Sequence, residues 1–518
     1  MKSLIYKLYK KLDNISLIAN IAYYGHNVFI CKLTGKNKSV KYKMNKIKYT
    51  HQSYNKKKYY KDIKIAFVCD DMTYESFKDE CNSVFLTPSN WLKVMKDFKP
   101  DIFFCESTWN GISKYKDCWR GRIYKNKNIL FNNREDLFNI LDYCKKTNIK
   151  TVFWNKEDPF YFDNEKNNFS DTALNFDYIF TTCSECIDKY KQLGHKNANT
   201  LMFGFSEKIF NPLGSSVKNG KAIFAGSWFG DHPKRCEDML NIFKLIQEKG
   251  IKLNIYDRNY NSSNPLKMFP KELKPIINKG MPFNELKKIY KRASYAVNIN
   301  TITNSETMFA RRVFELMASN VCVISNESVG MRKMFGNNIW FLGDEFNSDF
   351  VKEICEQNVQ YVMENHTNIK RLKQIYDTIG INYIDDDDSI AIIYDNCEMN
   401  LCKGHFESLN YKNKSGFIIK NNKFINIKNK TCFEDIDEFI KNNKCSYFII
   451  LKSINHVCKD FKKIILHFSY LDKFVGICEG KNKFILKESN KYYNCVFKSK
   501  YLKDVLLNKN LKFLKYII

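Results

Sequence analysis

The sequence predicts an α/β protein with two Rossmann-like halves facing a shared cleft, and three observations carry that reading. Short apolar runs of strand length alternate with helical segments of roughly ten to thirteen residues over 63–209, the signature of a buried parallel sheet. The same alternation restarts after FNPLGSSVKNG at Phe210–Gly220, a stretch of Gly, Ser, Pro and Asn that reads as a linker. A chain of 518 residues is also too long for one compact core, while 44% apolar and 27% charged residues are a globular composition. Fibrous, mucin-like and disordered classes are thereby excluded.

In the first half, IKIAFVCDD from Ile63 is a buried strand ending in two acids, followed by SVFLTP and a helix around Trp91–Phe98. Strand DIFFCES (Asp101–Ser107), helix Arg134–Lys146 and strand TVFWNKEDP (Thr151–Pro159) come next. Strand Phe176–Thr182, helix Ser184–Leu193 and a strand near Asn199–Met202 close this half. The second half begins with KAIFAG (Lys221–Gly226) and a helix over Arg235–Glu248. It continues with strand Lys252–Asp257, helix Asn284–Lys291, strand Tyr295–Asn300, helix Met308–Ala318 and strands Val321–Asn326 and Asn338–Gly343. Residues 350–380 have the pattern of one or two amphipathic helices, and the acid run Asp385–Ser389 reads as a solvated turn or boundary. Beyond it lie a strand-like Ser446–Lys452 and a helix-like Asp460–Lys473. The expected partition is a basic extension over 1–62, an acceptor-side domain over 63–209, a donor-side domain with closing helices over 210–384, and an accessory region over 385–518.

The formal net charge is +28, and residues 1–62 hold fifteen lysines against Asp13 and Asp62. Such a balance favours anionic partners, although a compositional bias towards lysine accounts for it equally well. A nucleic-acid binder would join a basic groove to stacking aromatics or a named motif, and no such motif is visible. The eighteen cysteines are scattered, with no His/Cys cluster at zinc-finger spacing, so reduced thiols in a cytoplasmic protein are expected. The first residues show no signal-peptide apolar core, and no apolar run is long enough to span a bilayer. Lys7, Lys10 and Lys11 interleave with Leu4, Ile5, Leu8 and Leu12, a short amphipathic pattern that leaves peripheral contact with the inner face of a membrane open.

Ligands of open parallel sheets bind at the carboxyl ends of the strands, so two joined sheets suit a two-substrate transfer. Neither half has GxGxxG, and there is no GxxxxGK[ST], so the occupant is not an ordinary dinucleotide or a P-loop nucleotide. In the second half, Gly226 and Ser227 end the first strand, where small residues let a phosphate approach backbone N–H groups. Arg235 follows at a helix start, and Asp257 and Arg258 end the next strand. Ser305 is placed to cap a helix that buries Phe309, Val313, Leu316 and Met317 and leaves Arg311 and Glu315 at i,i+4 with Arg312 beside them. Two arginines at a helix start fit a diphosphate, with Glu315 reaching a hydroxylated ring; an intrahelical salt bridge explains the same spacing. On the first half, Asp70, Asp71, Glu106 and Glu157 sit at strand ends, where a base for an acceptor hydroxyl is needed.

Together WNKEDP (Trp154–Pro159), FNP (Phe210–Pro212), FAGSW with Arg235, IYDR (Ile255–Arg258) and NTITNSETMFARRVFELMAS (Asn300–Ser319) resemble the CgeB-like spore-maturation glycosyltransferases, of GT-B type. DDMTYESFKDE (Asp70–Glu80) and KPDIFFCESTWNG, ending at Gly111, belong to the same resemblance, which runs over roughly Ile63–Leu342. The resemblance implies a UDP-, GDP- or CDP-sugar donor held by the second half and a glycan, wall polymer or protein acceptor. It implies no cofactor and no bound metal. Within it, Arg312 lies two residues before Phe314 and matches the family's arginine-x-phenylalanine-glutamate helix better than Arg311. Glu306 and Glu315 are spaced one residue too far apart for the glutamate pair common in retaining enzymes, so the stereochemical outcome stays open.

Overall fold

The computed structural model describes residues 57–126, 133–345, 348–454, 460–471, 473–480, 483–508 and 511–518. The amphipathic stretch with Lys7, Lys10 and Lys11, like the rest of 1–56, lies outside the described residues.

Strand β1 (Lys58–Tyr59) precedes a first sheet of β2 (Lys64–Val68), β3 (Asn82–Phe85), β4 (Ile102–Glu106), β5 (Lys150–Asn155), β6 (Tyr178–Thr181) and β7 (Ala198–Thr200). All are parallel, in the order β3-β2-β4-β5-β6-β7. Residues Ile65–Val68 and Ile102–Glu106 are buried on both faces, which is why these strands read as unbroken apolar runs.

The second sheet comprises β8 (Ala222–Gly226), β9 (Leu253–Asp257), β10 (Ile277–Lys279), β11 (Tyr295–Asn298), β12 (Cys322–Ser325) and β13 (Trp340–Phe341). It too is parallel, in the order β10-β9-β8-β11-β12-β13. In both sheets the chain builds outward on one side, then crosses back to build the other. The reversal falls at β2/β4 in the first sheet and at β8/β11 in the second, and the crevice at such a switch point is where α/β sheets take ligands. The molecule is thus the expected pair of Rossmann-like halves, in a GT-B arrangement.

Two strips of chain join the halves. The outgoing strip pairs with the returning one through a bridge between Phe205 and Thr367. Arg371 locks the crossing: its guanidinium donates to the carbonyls of Met202 (2.9 Å), Phe203 (2.9 Å) and Asn365 (3.2 Å) and meets His366 Nδ1 at 2.7 Å. Residues 350–380 form two helices, Val351–Asn365 and Asn368–Thr378. The second does not stay with its own half; Leu372, Ile375, Tyr376 and Ile379 are buried in the core of the first.

The acid run is an exposed boundary segment before the last sheet, as expected, and it is tied down at several points. β14 (Tyr383–Ile384) pairs with β1, and Asp386 accepts from the Tyr59 and Tyr60 hydroxyls. Asp387 accepts from Ser446 Oγ at 2.9 Å and Asp388 from Asn413, so the run joins three parts of the molecule. Beyond it come β15 (Ile390–Asp395), β16 (Lys414–Lys420), β17 (Lys423–Asn426), β18 (Cys432–Phe433), β19 (Tyr447–Leu451), β20 (Val475–Cys478), β21 (Ile485–Ser489), β22 (Val496–Lys498) and β23 (Phe513–Ile517). They make one mixed sheet ordered β18-β17-β16-β15-β19-β22-β20-β23-β21. Its inner residues, including Ile392, Ile449 and Ile477, share a continuous apolar cluster with Phe314, Val323 and Val359 of the second half.

Candidate functional site

The carboxyl ends of the two parallel sheets enclose a cavity of about 320 Å³. From the second half come Gly226, Arg235, Arg258, Thr301, Arg311, Arg312 and Glu315; the first half supplies Thr73, Trp154, Lys156 and Glu157.

Each arginine arrives by a different route. Arg235 stands in the first turn of helix Pro233–Glu248, with its guanidinium donating to the Ser227 carbonyl at 3.2 Å and lying over the Phe229 ring. Arg258 follows β9, and its amide donates to the Gly226 carbonyl at 3.0 Å. Gly280 allows the close approach here, because a Cβ on it would meet the Asp257 carbonyl oxygen at 2.6 Å and Arg258 Cα at 2.9 Å. Arg312 opens the helix Arg312–Ala318, reaches Tyr290 and lies over the Phe224 ring. Burial, then Arg312 and Arg258, pull the Arg235 guanidinium down to about 10. Arg258 is lowered by burial and then by Arg312 and Arg311; since much of its side chain meets solvent, the like charges are the more telling cause. Among the described residues, none of Arg235, Arg258 and Arg312 forms an ion pair with a carboxylate. Arg311 does, at 2.9 Å from Glu315, so the intrahelical pair exists and also lines the cavity.

Three second-half expectations change. The helix starts at Arg312, not Met308, and Ser305 is not its cap. Ser305 Oγ does accept from the amides of Thr307 (3.2 Å) and Met308 (2.9 Å), the local pattern of a cap without the helix. Ser227 and Asp257 stand behind the cavity wall; the Asp257 carboxylate accepts from the Asn259 amide at 2.8 Å, and burial raises it.

Of the four first-half carboxylates, only Glu157 lines the cavity. Asp70 is consumed by the amides of Trp109, Asn110 and Gly111 at 2.8–2.9 Å and by the Thr108 hydroxyl, so it anchors that loop. Asp71 accepts from the Ser113 amide and hydroxyl. Glu106 is fully buried, accepts from the Asp70 amide at 2.7 Å and pairs with Lys156 at 2.8 Å; burial raises its carboxyl. Burial opposes the Lys156 ammonium, but Glu106 and Asp70 outweigh it and leave the group raised. Glu157 accepts from Trp109 Nε1 at 3.0 Å and is raised by burial. Lys156, Thr301, Tyr290 and Asn368 also line the cavity; Lys156 and Thr301 lie inside WNKEDP and NTITNSETMFARRVFELMAS without having been assigned a role there, and Tyr290 and Asn368 lie in no motif. Among the described residues, no group of three or more His, Cys, Asp or Glu is placed to hold a metal ion. No helix there is long and apolar enough to cross a membrane.

Residues 240–377 match the family model described as glycosyl transferase-like. That stretch contains Arg258, Arg311, Arg312 and Glu315, whereas Gly226 and Arg235 precede it. No curated protein matches the chain. Among solved structures it is similar to a glycosyltransferase from Rickettsia africae ESF-5, at 12% identity over 63% of this chain and 99% of that one, with a TM-score of 0.39. Anabaena Alr3699/HepE in complex with UDP and glucose is similar at 9% identity over 61% and 99%, with a TM-score of 0.39. The UDP-GlcNAc 2-epimerase of Methanocaldococcus jannaschii is similar at 11% identity over 61% and 99%, with a TM-score of 0.33.

Proposed function

We propose that the protein is a glycosyltransferase that moves a sugar from a nucleoside-diphosphate donor to an acceptor hydroxyl. The observation that carries the proposal is the convergence of Arg235, Arg258 and Arg312 on one cavity, none of the three ion-paired with a carboxylate among the described residues. Like charges gathered this way cost free energy unless an anion joins them, and a diphosphate supplies it. The match of residues 240–377 to a glycosyl transferase-like family supports the same reading.

In the reaction, the acceptor oxygen bonds to the anomeric carbon while the bond from that carbon to the phosphate oxygen breaks. The electron pair leaves with the nucleoside diphosphate, and the arginines stabilise the growing charge, so no divalent metal is required. Glu157, on the opposite wall, is the base that takes the acceptor proton in an inverting route. Glu315, fixed by Arg311, faces the donor ribose. Asp70, Asp71 and Glu106 are structural on this reading, as are Ser227, Asp257 and Ser305. The resemblance to CgeB-like enzymes points to a cell-surface, spore or protein acceptor, and the protein acts in the cytoplasm or at the inner membrane face.

Incubating the purified protein with UDP-, GDP- and CDP-sugars and following nucleotide release tests the proposal. Release with one of them, lost in Arg312→Ala, is the expected result. Binding of a nucleotide sugar without any release or transfer favours a non-catalytic nucleotide or sugar-phosphate binder. No binding, joined to oligonucleotide binding with a steep salt dependence, would overturn the reading in favour of nucleic acid.

A further inference from the structure

We propose that Thr307 and Glu185 are positioning residues that latch the arginine-bearing loop of the second half onto the first half and so set the width of the reaction cavity. The proposal rests on the transferase reading of that cavity. The loop runs from β11 to the helix Arg312–Ala318, and its two ends line the cavity through Thr301 and through Ala310, Arg311 and Arg312. Its middle crosses to the first half. Thr307 Oγ1 donates to the Thr182 carbonyl at 2.8 Å and accepts from the Ser184 amide at 2.8 Å. The Glu185 carboxylate accepts from the Glu306 amide at 2.7 Å and from Ser305 Oγ at 2.8 Å. The four bonds run in both directions, and all their first-half partners follow β6 at the same sheet end that bears Lys156 and Glu157.

The loop is braced on its own half, so what holds it holds the whole half. The Gly330 amide donates to the Ser305 carbonyl at 3.0 Å, and a Cβ on Gly330 would meet the Glu306 carbonyl oxygen at 2.4 Å. The Val329 amide donates to the Thr303 carbonyl at 2.9 Å, and the Ala310 amide to Asn300 Oδ1 at 2.9 Å. Glu185 stays ionised throughout working pH: burial opposes its charge, but hydrogen bonds from Cys183, the Glu306 and Glu185 amides and Ser305 hold it at about 2. Cys183 and Cys186 flank it as a CxxC pair, and the Cys183 thiol donates to Glu185 at 3.0 Å.

The donor arginines all belong to the second half, whereas Glu157 belongs to the first. Releasing the latch therefore leaves donor binding in place and moves the proposed base away from the sugar. A misplacement on the order of 1 Å costs about 10²-fold in rate. The test uses the full-length protein, Thr307→Val, Glu185→Ala and the conservative Thr307→Ser. With the nucleotide sugar that wild type turns over, Thr307→Val and Glu185→Ala are expected to lower kcat at least about tenfold while donor Kd moves less than about threefold. Thr307→Ser, which keeps the hydroxyl, is expected to restore kcat. Small-angle scattering should show a larger radius of gyration for Thr307→Val than for wild type. Unchanged scattering for Thr307→Val and Glu185→Ala would overturn the latch even if no nucleotide sugar is turned over. A fall in kcat matched by an equal loss of donor affinity would overturn it as well. Absence of turnover in wild type strikes the transferase reading alone, because the scattering comparison still decides the latch.

Discussion

Arg312 and Glu157 line the cavity from different halves, and the chemistry depends on what each can do there. Removing Arg312 takes away countercharge needed most as the diphosphate leaves. Arg312→Ala is expected to lower turnover by about 10²-fold, measured as nucleotide release at saturating donor. Glu157 predicts a pH profile. A base works deprotonated, and burial raises this carboxyl above its ordinary value, so activity should fall on acidification through a pKa higher than that of a free glutamate. Glu157→Gln should remove that acid limb along with most of the rate; a limb that survives in the variant assigns it to another group. The arginines stood out in the sequence because each ends a strand or starts a helix. Asp70 and Glu106 met the same criterion, yet their oxygens are spent on amides and on Lys156, and sequence position does not reveal which way a carboxylate turns.

At the scale of elements, the parallel strands were legible because burial on both faces leaves continuous apolar runs, as in β2, β4 and β12. The start of the arginine helix was not. Ser305 makes the local bonds of a cap, and the residues after it are committed to partners 120 or more positions away. β10 was not legible because it is three residues long and mostly exposed. The crossing between the halves was equally invisible, since Arg371 holds it through backbone carbonyls, which carry no sequence signal. Burial lowers that guanidinium to about 10, and among the described residues no carboxylate appears among its hydrogen-bond partners. Arg371→Met should leave three carbonyls without their donor and cost about 2–4 kcal/mol, read from denaturant midpoints. A midpoint within error of wild type would show that the crossing is held elsewhere.

For the whole molecule, the region after residue 384 is part of the body and not an appendage. Its sheet shares the second half's apolar cluster, and Lys483 pairs with Glu356 on the helix Val351–Asn365 at 2.7 Å. Only one strand and one helix of it were legible; its two edge strands, β18 and β21, are largely exposed and lack a continuous apolar run. Ending the chain at residue 384 should yield an insoluble or molten product, seen as lost near-UV dichroism and increased dye binding; a soluble fragment with native dichroism would show an independent accessory domain. Nearly half of the +28 charge lies in residues 1–62, with fifteen lysines against two aspartates, and the arginines that line the cavity are a small part of the remainder. On the transferase reading, Arg235, Arg258 and Arg312 hold a nucleoside diphosphate between the halves. Calorimetric titration of wild type and of the Arg258→Ala/Arg312→Ala variant with UDP, GDP and CDP tests it most directly. Wild type is expected to bind at least one of them and the variant to bind it at least about tenfold more weakly; equal affinity for the two proteins, or no binding of any, would rule out capture of a diphosphate by these arginines.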